Sequence, residues 1–206
     1  MNRDGIDTSK PTLLVDVDLC VVDPIQGWID HLNETTNSCI SPLSICNFEN
    51  VNYDLVSYWK EKLEGTGKDG YEYWRKEDLY DNLKPVAFSQ DVLSIFKEDG
   101  YNIGFVSSLK GNHHKSKANF LKRYFGFFDF FVGTKEKWAL GYIPNSVMID
   151  DRLTNLAPMP EGVKLVQLMS PYKQDIDITN RPVLKYTWTM GVGPLKEFID
   201  KEEKYV

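Results

Sequence analysis

Five short runs rich in Val, Ile, Leu and Phe recur along this chain: LLVD (Leu13 to Asp16), YNIGFVSS (Tyr101 to Ser108), FFDFFVG (Phe127 to Gly133), SVMIDD (Ser146 to Asp151) and VKLVQLM (Val163 to Met169). Segments with helical spacing, SQDVLSIFKEDG, GNHHKSKANFLKRYFG and TKEKWALG, fill the gaps from the second run onward. Short, fully apolar strands that alternate with amphipathic helices are the pattern of a parallel sheet covered on both faces. The chain is therefore expected to be α/β, with a doubly wound, Rossmann-like parallel sheet. Ser89 and Asn112 are candidate helix caps, and Gly100 and Gly126 stand where left-handed helix termination is expected. KEFIDKEEKYV reads as a solvated C-terminal helix.

Between the first and second runs the alternation breaks. GWIDHLNETTN and YDLVSYWKEKLEG look helical, TGKDG reads as a turn, and no convincing strand separates them, so residues 24–85 are expected to form a small helical cap. Residues 11–23 and 86–206 would then make the core domain. Trp28, Trp59 and Trp74 fall in the insertion with Tyr53, Tyr58, Tyr71 and Tyr73. That density fits either the packing of a helical layer or a base-stacking surface.

At 206 residues, with 42% apolar and 26% charged residues, the chain needs neither disulfides nor metal to fold, and shows no sign of disorder. A formal charge of -6 disfavours a broad phosphate-backbone footprint, so a stable nucleic-acid complex is not expected. Cys20, Cys39 and Cys46 lack zinc-ligand spacing and suit a reducing compartment. MNRDGIDTSK reads as a short disordered tail without the apolar core of a secretory signal, and no run approaches membrane-spanning length. A cytoplasmic location without membrane contact is expected.

In open parallel sheets, ligands bind at the carboxyl ends of the strands. The first run delivers Asp16 and Asp18 to that edge, the second Ser107 and Ser108, and the fourth Asp150 and Asp151; Lys135 and Lys137 follow the third. Clustered carboxylates with a hydroxyl and an ammonium make a poor structural element and a sensible site for a divalent metal and a phosphate. Oxygen-only ligation by Asp16, Asp18 and Asp150 suits Mg2+. A carboxylate approaching a phosphate dianion is repelled unless a metal ion and a lysine lower the local negative potential. With both present, Asp16 could attack phosphorus and form an aspartyl phosphate, and Asp18 could protonate the leaving oxygen and then deprotonate the attacking water. Ser107 would hydrogen-bond the phosphoryl group and Lys137 would hold its charge, with Ser108 and Lys110 as auxiliary phosphate contacts and Asp151 supporting the metal ligands from behind.

From about Thr12 to Leu156 these residues resemble the haloacid dehalogenase (HAD) superfamily of phosphatases. The likeness rests on DVD at Asp16 to Asp18, FVSS ending at Ser107 and Ser108, Lys137 or Lys135, and MIDD at Asp150 and Asp151, in that order. Within the superfamily the chain is most similar to the 5'(3')-deoxyribonucleotidases, whose DMDGVLAD is like DVDLCVVD here and whose helical cap falls in the same place; YWRKEDLYDNLKPV resembles the segment leading out of that cap. The resemblance implies Mg2+-dependent removal of phosphate from a nucleoside monophosphate, with the base under the cap, and it allows a homodimer. Leu19 stands where those enzymes usually have Gly, Cys20 where Thr or Val is usual, and Ser107 where Thr is commoner.

Two other classes compete. One keeps the chemistry with a different substrate: a sugar phosphate, a phosphorylated amino acid or a polynucleotide end. The other is a metal-binding or receiver-like signalling module, although receivers place the phosphorylated Asp on a middle strand and the lysine last. Asp23 is read as a helix cap, Arg152 as a structural cation, and His113 and His114 as solvated.

Overall fold

The computed structural model describes residues 6–47, 49–109, 112–174, 176–178 and 180–201. Its elements follow in chain order as β1 (Thr12–Asp16), α1 (Ile25–Thr36), α2 (Pro42–Ile45), α3 (Lys60–Glu64), α4 (Ser89–Glu98), β2 (Asn102–Ser107), α5 (His114–Tyr124), β3 (Phe130–Gly133), β4 (Ser146–Asp150), α6 (Leu153–Leu156), β5 (Lys164–Leu168), β6 (Val183–Tyr186) and α7 (Val192–Asp200). Short 3-10 turns interrupt them at Leu55–Trp59, Glu72–Arg75, Lys137–Tyr142 and Trp188–Met190. All six strands pair in parallel, in the order β3-β2-β1-β4-β5-β6. This is the doubly wound order, and strand direction of travel reverses between β1 and β4, where a crevice opens outside the strand ends.

Both faces of the central strands are buried, which is why their sequences are apolar without alternation. Pleat parity then sorts them: Leu13, Val15, Ile103, Phe105, Val147 and Ile149 join the cluster under α4, α5 and α7. Leu14, Val106 and Met148 join a second cluster with Leu156 of α6 and with Met159, Val163 and Leu165. Gly104 faces the second side bare, because a Cβ there would fall inside the Phe130 ring from the neighbouring strand.

The insertion is held at a closed neck. Leu19 N–H donates to Val22 O (2.7 Å), Val22 bridges to Pro85, and Val86 N–H donates to Val21 O (2.9 Å). A sixty-residue excursion thus leaves and returns at one point beside the end of β1. Its apolar residues, Trp28, Leu32, Leu55, Trp59, Leu63 and Tyr73 among them, belong to the same cluster as the first face of the sheet. Residues 51–53 also touch the chain after β5, with Val51 N–H on Pro171 O (3.1 Å) and the Tyr53 ring edge-on to Tyr172.

Several local expectations change. Ser89 is the first residue of α4, not its cap; its hydroxyl donates to Val86 O, and Phe88 occupies the cap position with φ of 65°. Asn112 lies two residues before α5, and its amide reaches Glu77 instead. Gly100 does terminate α4 in the left-handed region (φ 90°), whereas Gly126 follows a helix that ends without one. TKEKWALG forms a 3-10 turn and not an α-helix. An additional strand, β6, closes the sheet's far edge.

Candidate active site

Register places the acids. In β1 Asp16 lies beside Val106 of β2, and its predecessor Val15 beside Ile149 of β4, so Asp16 and Asp150 end adjacent strands at the reversal point. Both share pleat parity with Leu14 and Met148, so they project on the face covered by the turn Lys137–Tyr142. From that turn Lys137 donates to Asp16 Oδ1 (2.7 Å) and to Asp150 Oδ2 (2.6 Å), with all three side chains under 10% exposed. Lys135, the other candidate, is exposed.

The two acids of MIDD play different parts. Asp150 is saturated: besides Lys137 it accepts from Arg152 N–H (2.9 Å) and from the Asn155 amide on both oxygens. Asp151 is fully buried, yet its Oδ2 has no hydrogen-bond partner among the described residues. One Asp151 oxygen, one Asp16 oxygen and the Cys20 sulfur all lie within 4.8 Å of one another. Burial pushes the Asp16 carboxyl up to about 7 against the pull of Lys137, and burial with Asp150 and Asp16 nearby holds Asp151 far above the carboxylate range. The Cys20 thiol is likewise held protonated by burial and by the adjacent acids.

Asp18 sits past the strand end in the turn that Leu19 makes at φ of 63°, a left-handed conformation for which glycine is the natural residue. Its carboxylate is clamped from two sides. Lys117 of α5 donates to Oδ2 (2.7 Å) and Tyr80 O–H to Oδ1 (2.6 Å). Burial alone would raise Asp18, but Lys117 and the Tyr80 hydroxyl outweigh it and keep the group below the usual range. Lys117 also donates to Ser107 Oγ (2.7 Å), so one ammonium ties the ends of β1 and β2 together. Ser107 is fully buried and Ser108 half-buried beside it. Lys110 lies outside the described residues.

Lys117 is the functional candidate that the sequence reading missed. It is a fully buried lysine in HKSKANFLKRY, where four basic residues suggest a solvated face. Its spacing of three and four from the buried Phe120 and Leu121 was the available signal. Tyr80, which leads out of the insertion, was missed as well; its N–H donates to Ser116 Oγ and its carbonyl accepts from Arg123. His113 corrects the solvated reading: it is 2% exposed, its Nδ1 meets Trp74 O at 3.0 Å and its ring stands edge-on to Tyr80. His114 is exposed and stacks on Phe131. Asp23 is not the cap of α1, a position Pro24 holds without a side-chain bond; it lies one residue earlier and accepts from Ile25 N–H (2.9 Å), and the Arg152 guanidinium lies 4.0 Å over the Tyr53 ring.

Three buried carboxylates, Asp16, Asp150 and Asp151, share one buried ammonium, while Asp18 has its own in Lys117. Protons held by Asp16 and Asp151 offset the remaining carboxyl charge in the metal-free chain, and an Asp151 oxygen lacks a partner among the described residues. A hard divalent cation would replace those protons, and Asp16 and Asp151 are the carboxylates placed to hold it.

No protein-family model matches the sequence, and no curated protein matches it. Solved structures match the fold. One described as a predicted phosphoglycolate phosphatase from Haemophilus somnus superposes with a TM-score of 0.61 at 14% identity, over 94% of this chain and 99% of that one. The magnesium-bound YfnB of Bacillus subtilis, named as a HAD-hydrolase, gives 0.58 at 14% identity, over 93% and 99%. A structure from Thermotoga maritima named as a β-phosphoglucomutase gives 0.58 at 12% identity, over 91% and 99%. The fold these structures match is a Rossmann-like α/β core, a parallel sheet of six strands with flanking helices.

Proposed function

We propose that the chain is a Mg2+-dependent phosphomonoesterase acting on a small phosphomonoester through an aspartyl phosphate at Asp16. The observation that carries this is the meeting of Asp16, Asp150 and Lys137 at the reversal point of the sheet, with Asp151 buried beside them and its Oδ2 without a partner among the described residues. The similar structures named as phosphatases and as a phosphoglucomutase support the class, and the magnesium-bound one supports the ion.

In this reading Asp151, rather than Asp150, joins Asp16 at the metal, because Asp150 has both oxygens engaged, as has the Asp18 carboxylate by Lys117 and Tyr80. When bound, the ion would supply positive charge against the phosphate dianion. Lys137 holds one Asp16 oxygen and leaves the other to attack phosphorus, and it stays to neutralise the phosphoryl group. Ser107 Oγ donates to a phosphoryl oxygen. Asp18, ionised at rest, takes up the proton that the ester monoanion brings, delivers it to the leaving oxygen, and then takes one from the water that hydrolyses the acyl phosphate. Lys117 acts through Asp18, fixing its carboxylate against Tyr80.

A sugar phosphate suits this site as well as a nucleotide does. Trp28, Trp59 and Tyr73 are buried and their polar atoms bond within the protein, to Gly70, to Asn33 and Ser38, and to Pro24. The aromatic density of the insertion is therefore largely packing, and gives no support to a nucleobase pocket. Phosphate release from a panel of sugar phosphates, phosphoglycolate, phosphoserine and nucleoside monophosphates, with Mg2+ and with chelator, tests the proposal. Release that needs Mg2+ is expected from at least one small ester, and none from Asp16→Asn; release that survives chelation or Asp16→Asn refutes it. Receiver-like signalling is disfavoured by the phosphate-accepting Asp lying on β1 of a six-stranded sheet in this order.

A further inference from the structure

Cys20 has no role in the reaction just described, yet its sulfur faces the two carboxylates proposed to hold the metal. Three features fix it there. Leu19, at φ of 63°, turns the chain back toward Asp16. The Cys20 carbonyl accepts from the Trp188 indole N–H at 2.7 Å, which pins the turn from the C-terminal part of the chain. The side chain itself is fully buried in a close-packed surround. Beside it, Asp151 Oδ2 is a buried polar atom without a hydrogen-bond partner among the described residues, which is an independent sign that the cluster expects a ligand.

Magnesium gains little from sulfur, whereas Zn2+, Cd2+ and Co2+ bind thiolate well. A tetrahedral zinc-sized ion, with bonds of about 2.3 Å to sulfur and about 2.0–2.2 Å to oxygen, sets its donor atoms roughly 3.3–3.7 Å apart. The donors of the cluster lie within 4.8 Å of one another, so side-chain movements of about 1 Å close it on such an ion.

We propose that Asp16, Cys20 and Asp151 form a thiophilic metal site, in which Zn2+, Cd2+ or Co2+ binds through the Cys20 sulfur and displaces Mg2+. The metal–sulfur bond forms as the thiol proton leaves to solvent, with no change of oxidation state. The displacement half of the inference rests on the Mg2+-dependent reading above; the binding half does not. Bound this way, the ion holds Asp16 in a sulfur-containing coordination sphere and stops phosphate release.

The test uses the full chain carrying Cys39→Ser and Cys46→Ser, which leaves Cys20 as the one thiol. Co2+ is titrated into the metal-free protein and the near-ultraviolet thiolate-to-Co2+ charge-transfer band is followed, without any phosphoester present. We expect the band to saturate at one equivalent, to be reversed by excess Mg2+, to vanish in Cys20→Ser, and to need about ten-fold more Co2+ in Asp151→Asn. Co2+ binding by calorimetry without the band, or the same band in Cys20→Ser, overturns the proposal. A band that excess Mg2+ leaves untouched overturns its displacement half. A saturating band from a chain that hydrolyses no ester leaves the site standing and refutes the phosphatase reading; hydrolysis without a band does the reverse.

Discussion

Lys117 gives its charge to one carboxylate where Lys137 divides its own between two, and the difference sets what each can do. Lys137 stays positive between Asp16 and Asp150 and faces the incoming phosphate. Lys117 instead keeps Asp18 ionised in the resting state. Lys117→Met removes that ammonium, so the Asp18 pKa rises and the alkaline limb of the kcat/KM profile, set by the proton Asp18 gives to the leaving oxygen, moves to higher pH, with kcat reduced; an unmoved limb refutes the assignment. Folding should weaken toward the lower end of the ~3–5 kcal/mol that breaking a buried pair costs, since Asp18 is 23% exposed; urea denaturation reads this. Leu19 presents a different residue-scale problem. It stands where the resembled enzymes usually have glycine, and its φ of 63° puts a bulky residue in the left-handed region. Leu19→Val, which adds a β-branch there, should cost about 1 kcal/mol in the urea midpoint.

The elements show what a sequence can and cannot disclose. β1, β2, β4 and β5 are legible because burial on both faces demands unbroken apolar runs, and no other element needs them. VLKY of β6 is not, since an edge strand is half-wetted and carries Lys185 outward. The pair Asp150–Asp151 announces a site without saying which acid meets the metal. Pleat parity sends Asp150 with Met148 toward Lys137, whereas Asp151, one residue past the end of β4, comes close to Asp16 and Cys20, and in the proposed reaction it is Asp151 that meets the ion. Lys117 was hidden because three neighbouring basic residues on α5 gave the helix the look of a solvated element. At this scale Gly104 is the weak point. Gly104→Ala must displace the Phe130 ring from β2 and should cost about 1–3 kcal/mol, read as a lowered melting temperature; an unchanged one would mean that the ring moves freely.

Across the whole molecule, the insertion and the sheet share one apolar cluster, so the segment over the site is packed to the core while joined to it at a single neck. No described helix is long and apolar enough to cross a membrane. Charge ties the site to global stability. Asp16 has a folded pKa of about 7 against 3.8 when unperturbed, so the folded chain holds a proton that the unfolded chain releases. The sign follows: this carboxyl favours folding at low pH, and that contribution is lost as pH rises from about 4 to about 7 in the absence of metal. Subtracting an Asp16→Asn series isolates it from His113, whose lowered pKa acts in the opposite direction. Mg2+ affinity should climb over the same interval and beyond it, because the ion must displace the Asp16 proton and that of Asp151, which burial also holds; a flat affinity profile by calorimetry would contradict this.

The bond between Asp16 and phosphorus can be caught directly. Wild-type chain turning over its best ester with Mg2+ is quenched in acid, reduced with borohydride, and the peptide containing Asp16 weighed. An acyl phosphate there is reduced to homoserine, and that mass change at Asp16, absent without ester and absent from Asp16→Asn, is the predicted result. Steady phosphate release with an unaltered Asp16 peptide, and turnover that persists in Asp16→Asn, would contradict the account.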